Sequence, residues 1–132
     1  MSFNAQQLLA NLAEKERVKG HHSPEGQAIR TISRALHGWS LGTLAAGDVV
    51  LLCSQALEDW LKARMQISEW SSAGLAELIA AATRTDMLTD LEAEKLRLVH
   101  EKRQRLSGAA ISEAEVIDMI HNAIEVLEAR WQ

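Results

Sequence analysis

The chain has 132 residues, a formal net charge of −4 and a single cysteine, which is the length of one ordinary domain. A chain this long buries roughly two-thirds of the surface its unfolded form exposes, so it needs neither a disulfide nor a metal to fold. One proline and seven glycines are too little turn chemistry for a sheet protein of this size, and the acidic balance argues against wholesale coating of nucleic acid while leaving room for a local basic patch.

Alanine, leucine and glutamate are plentiful, and all three favour helix. The first helix is expected from about Ser2 to Val18, with Leu8, Leu9 and Leu12 as a narrow apolar stripe. Lys19 to Ser23 breaks the pattern. Ser23-Pro24-Glu25 then reads as a helix start: hydroxyl cap, proline at the first helical position, acid in the first turn. Ile29, Ile32, Leu36 and Trp39 share one face of the second helix, which ends near Gly42 or runs on to Ala46. Gly47-Asp48 supplies a stop and a new cap. The third helix, about Asp48 to Met65, is apolar on several faces through Val49, Val50, Leu51, Leu52, Cys53, Ala56 and Leu57. A helix that is apolar most of the way round is central.

Ser68 to Ser72 reads as a loop, and Leu75, Leu78, Ile79 and Ala82 mark a short fourth helix. Thr89 and Glu92 have capping-box spacing and open a fifth helix that runs to about Leu106, where Ser107-Gly108 ends it. Ser112 and Glu115 repeat that spacing before the last helix, whose face carries Val116, Ile120, Ala123, Ile124, Leu127 and Trp131. The expected fold is all-α: one domain over 1–132, an antiparallel bundle of four or five long helices plus one short one, with 1–22 a peripheral helix and loop.

No signal-peptide pattern opens the chain. The longest apolar stretch, Leu41 to Cys53, is broken by Asp48 and too short to span a bilayer. A cytoplasmic protein without a membrane partner is expected, with Cys53 a small core residue in a reducing compartment.

The middle and end of the chain carry a further pattern. An apolar helix ends in Ala56-Leu57-Glu58-Asp59-Trp60-Leu61. Leu75 to Ala82 and Met87-Leu88-Thr89 follow, then a helix leading into Lys102-Arg103-Gln104-Arg105-Leu106, then Ile111-Ser112-Glu113-Ala114-Glu115. Over roughly residues 45 to 131 this order resembles the HEPN superfamily of small helical bundles, especially its uncharacterised stand-alone bacterial branch. The resemblance implies a homodimer. It also implies either a metal-independent RNase of toxin or defence systems or a non-catalytic partner of a nucleotidyltransferase or antitoxin. Catalytic members carry an arginine, usually followed by a polar residue, with a histidine four to six residues on. Arg103-Gln104 matches the first half; Arg105 to Ala110 contain no histidine. Arg30 and His37 have a similar spacing on an early helix, where it is coincidental.

The residues themselves offer few sites. Arg97, His100, Lys102, Arg103 and Arg105 make a basic stretch suited either to phosphate contacts or to offsetting the negative end of the helix dipole. If the last two helices form a hairpin, His121 lies across from His100, and Arg103, His100 and His121 become candidates for general acid–base cleavage of RNA. Trp70, in a loop, is the candidate for a partner contact. His21-His22 lacks a third ligand at metal-site spacing, so no metal and no cofactor is expected. The favoured expectation is a dimeric binding or regulatory module without catalysis. A rearranged RNase and a structural subunit of a larger assembly are the alternatives.

Overall fold

A computed structural model describes residues 4–106, 108 and 110–129; expectations that fall on Ser2, Ser107 and Trp131 lie outside these. The six helices are α1 (Ala5–Lys19), α2 (Pro24–Ser40), α3 (Ala46–Met65), α4 (Leu75–Arg84), α5 (Asp90–Arg105) and α6 (Glu113–Ala129). Among the described residues there is no strand, and no helix is long and apolar enough to cross a membrane.

Local chemistry sets most of the boundaries. The Asn4 side chain accepts the Gln7 N–H at 3.0 Å and starts α1. Ser23 Oγ accepts the Gly26 N–H at 2.9 Å and starts α2 with Pro24 in its first turn. α2 ends at Ser40, at the nearer of the two expected points. There Gly42 takes a positive φ of 78° and the N–H groups of Thr43 and Leu44 return to the Gly38 carbonyl. α3 begins at Ala46, two residues ahead of Asp48. Asp48 is therefore not the cap: its carboxylate sits in the first turn and accepts the Ala45 N–H at 2.8 Å. Thr89 and Glu92 form the full reciprocal capping box at α5, and Ser112 Oγ accepts the Glu115 N–H at 3.2 Å ahead of α6.

α3 is the hub, packing against α2, α4, α5 and α6. Val49, Val50, Cys53, Ala56, Leu57, Trp60 and Leu61 are buried along it. Its apolar coverage is not complete, however: Leu51 and Leu52, counted in sequence as part of the all-round apolar surface, are 46% and 36% exposed. Ile29, Ile32 and Leu36 from α2, Leu75, Leu78 and Ile79 from α4, Leu96 and Val99 from α5, and Val116, Ile120, Ala123, Ile124 and Leu127 from α6 close the core around it. α1 contributes only Leu12 as a fully buried residue, with Leu8 and Leu9 half-buried.

Cys53 lies at the centre of this core with no exposure, and burial pushes its thiol up to about 12. The thiolate is the nucleophile, so native Cys53 should resist iodoacetamide at pH 8 for hours and react within minutes in denaturant. Mass spectrometry of the labelled chain reads this directly; fast labelling without denaturant would mean that α3 is not central.

Candidate functional site

Two buried acids stand out in the helices. On α3, Ser54, Glu58 and Lys62 recur every four residues, so they share one face. Each is nevertheless buried, in a helix whose other buried positions are apolar. A buried charge persists only when it is paired, and each of these has partners. Arg103 of α5 donates through Nη1 to Glu58 Oε1 at 2.8 Å and to Ser54 Oγ at 3.0 Å. The same Glu58 oxygen accepts the Leu75 N–H at 3.1 Å. Leu75 is the first residue of α4, whose cap position is Gly74 and has no side chain to offer. Glu58 therefore caps α4 from another helix and meets the positive end of the α4 dipole. Lys62 Nζ donates to the Ser71 carbonyl at 2.9 Å and ties down the α3–α4 loop.

Glu58, Lys62, Ser71, Leu75 and Arg103 line a groove of about 590 Å³ between α3, α5 and the start of α4, together with Gln55, His100 and Gln104. His100 Nδ1 is itself buried and has no hydrogen-bond partner among the described residues. The Arg103 side chain is 40% exposed, against 10% for Glu58. Part of the guanidinium thus stays open to the groove while the rest is committed to the ion pair.

The structure brings His100 and Arg103 together and places the other candidates elsewhere. His121 lines a separate groove between α5 and α6, with Leu98, Lys102, Asp118, Asn122 and Glu125, and a second one against Asn4 and against Gln7 and Leu8 of α1. Leu98 and Lys102, four residues apart, mark a different face of α5 from His100 and Gln104. Arg105 pairs with Glu115 at 3.2 Å, and Lys102 lies 3.7 Å from Glu101. Arg97 is exposed. Trp70 is 88% exposed in the α3–α4 loop, one residue before the groove wall at Ser71. Of the histidine pair, His21 Nδ1 lies 2.7 Å from Glu16 Oε2, which also accepts from Arg30 at 3.0 Å. Among the described residues no group of three or more His, Cys, Asp or Glu side chains could hold a metal ion.

The second buried acid, Glu25, is 1% exposed in the first turn of α2. Trp60 Nε1 donates to its Oε2 at 2.6 Å, and Arg64 makes a two-pronged ion pair with the same carboxylate. Burial opposes ionisation of Glu25. The hydrogen bonds from Arg64 and Trp60 outweigh that cost and hold its carboxyl below the ordinary range.

The sequence singles out Arg103 and His100 but not Glu58 and Ser54, which hold Arg103, nor Lys62 beside them. The available signal was the four-residue spacing of Ser54, Glu58 and Lys62, which places them on one face of α3. Comparison of the chain with protein-family models, with curated proteins and with solved structures finds no match.

Proposed function

We propose that the chain is a non-catalytic binding module: a HEPN-like antiparallel bundle of five long helices and one short one, cytoplasmic and homodimeric. In this reading the groove of α3, α4 and α5 holds an anionic group of a partner, either RNA or an acidic face of a protein such as a nucleotidyltransferase or antitoxin. The observation that carries it is the Arg103–Glu58 pair. It keeps a cation half-open on a fixed base, which suits charge-assisted binding of an oxyanion. An arginine already shared with a carboxylate is poorly placed to stabilise new negative charge in a transition state, where catalysis draws on donors that are preorganised and free.

One observation favours a second reading, a metal-independent RNase that uses Arg103 with His100. His100, whose buried Nδ1 has no hydrogen-bond partner among the described residues, lines the groove with Arg103, and an imidazole can take up or deliver a proton. The test incubates the protein with mixed cellular RNA in the absence of metal, beside Arg103→Ala, His100→Ala and His121→Ala. Intact RNA with all four proteins, and retention that Arg103→Ala weakens, is the expected outcome. Cleavage lost in Arg103→Ala and His100→Ala but kept in His121→Ala would replace the binding module with the RNase.

A further inference from the structure

Glu58 has a position that its structural role alone does not require. A capping acid needs one N–H, and a groove that binds anions gains nothing from a carboxylate on its floor. Yet Glu58 Oε1 takes both the Leu75 N–H, at 3.1 Å, and Arg103 Nη1, at 2.8 Å. Ser54 Oγ adds a second anchor on the same Arg103 nitrogen at 3.0 Å. His100 and Lys62 stand on the same walls. The carboxylate therefore occupies two donors, Arg103 Nη1 and the Leu75 N–H, that an incoming oxyanion would use.

We propose that Glu58 is a positioning residue that gates the groove. Its carboxylate is an internal occupant of an oxyanion site, and a phosphate-type ligand gains full use of Arg103 only by competing with it. The proposal rests on the binding-module reading and adds a prediction of opposite sign for two members of one ion pair. Losing Arg103 weakens binding; neutralising Glu58 strengthens it. Glu58→Gln keeps an oxygen that can accept from Leu75 and Arg103 but removes the negative charge, so it leaves the cap in place and the Arg103 charge uncompensated.

The experiment measures binding of inorganic tripolyphosphate by calorimetry at low salt, using the full chain. Glu58→Gln is expected to bind roughly two- to fivefold tighter than the unmodified chain, the scale set by one partly exposed ion pair. The gain should vanish in Glu58→Gln/Arg103→Ala, because it acts through Arg103. Glu94→Gln, which removes an equal charge from an exposed position on α5, should show no gain, which separates a local gate from net charge. Thermal melts by circular dichroism establish that each variant folds. If Glu58→Gln does not fold, Ser54→Ala serves instead; it loosens Arg103 without touching the α4 cap and should show a gain of about twofold.

Three results overturn the gate: no tightening in the folded variant, an equal gain in Glu94→Gln, or a gain that survives loss of Arg103. If Arg103→Ala lowers affinity while Glu58→Gln leaves it unchanged, the groove still binds anions and only the gate falls. If no variant holds tripolyphosphate, the gate and the anion-binding role of the groove fall together.

Discussion

Glu25→Ala should lower the unfolding free energy by about 3 kcal/mol, the lower end of what loss of one member of a buried ion pair costs. The pair joins the first turn of α2 to the last turns of α3. Removing the carboxylate strands two donors at once, the buried Trp60 Nε1 and the Arg64 guanidinium. Trp60 is 2% exposed, so its N–H loses its partner inside the core, where an unmade hydrogen bond is costly. The Arg64 side chain is 27% exposed and can turn outward, which keeps the estimate at the lower end. The corresponding fall in melting temperature is about 10 °C or more.

Glu25→Gln separates charge from hydrogen bonding. The amide oxygen can still accept from Trp60, so the loss at neutral pH should be about 1–2 kcal/mol. Its pH dependence follows from the direction of the Glu25 shift. The folded-state pKa lies below the unfolded value, so the unfolded chain binds the proton more readily. The stabilisation is then complete above the unfolded value of about 4.3 and is lost as pH falls through the folded pKa. Urea titrations of the two proteins between pH 7 and pH 3 should show a constant gap down to about pH 5 and a narrowing gap below it. A gap of the same size at pH 3 and pH 7 would mean that the Glu25 charge contributes nothing to stability.

The contrast between Glu25 and Glu58 shows what the sequence could and could not disclose. Local chemistry was legible: the Ser23 cap with Pro24, the Thr89–Glu92 box and the apolar face of α6 each lie within a few residues of chain. Glu25 was equally legible as a first-turn acid, which it is. Its ion pair was not, because Arg64 is 39 positions away and only the packing of α2 on α3 brings them together. Glu58 was hidden for the same reason. Its partners Arg103 and Leu75 belong to two later helices, and no periodicity on α3 reports what faces it from α5. The same limit explains His121. The spacing on α5 and α6 allowed a histidine pair across a hairpin, but the rotation of α6 about its axis is fixed by Val116, Ile120, Ala123 and Leu127 turning inward. That rotation directs His121 to a different groove. Leu51 and Leu52 err in the other direction: a run of apolar residues longer than one helical stripe must place some of them outside.

Gly26→Ala should destabilise the protein by about 3 kcal/mol, although alanine is the better helix former by about 1 kcal/mol. Gly26 sits in the first turn of α2, where a β-carbon would lie 1.9 Å from the carbonyl oxygen of Gly20 and 2.9 Å from its carbonyl carbon. Both are backbone atoms, so no side-chain rotation relieves the clash, and overpacking of this kind costs up to about 3 kcal/mol or more. The obstructing carbonyl is itself held in place: it accepts from Ser23 Oγ at 2.9 Å and from the Ser23 N–H at 3.2 Å. Moving it away breaks both bonds that hold Ser23, the cap residue of α2, in place. Two comparisons isolate the mechanism. Gly20 has a φ of +93° and open space around its β-carbon position, so Gly20→Ala pays for backbone strain alone, about 1 kcal/mol or somewhat more. Gly74 has open space and an ordinary extended backbone, so Gly74→Ala meets no clash and should cost less than about 1 kcal/mol, the scale of the N-cap preference for glycine over alanine. Denaturant melts that rank the three losses as Gly26, then Gly20, then Gly74 support a steric lock between the α1–α2 turn and α2. A Gly26→Ala protein as stable as its parent would mean that α1 shifts freely on α2 and that the turn is not the fixed element described here.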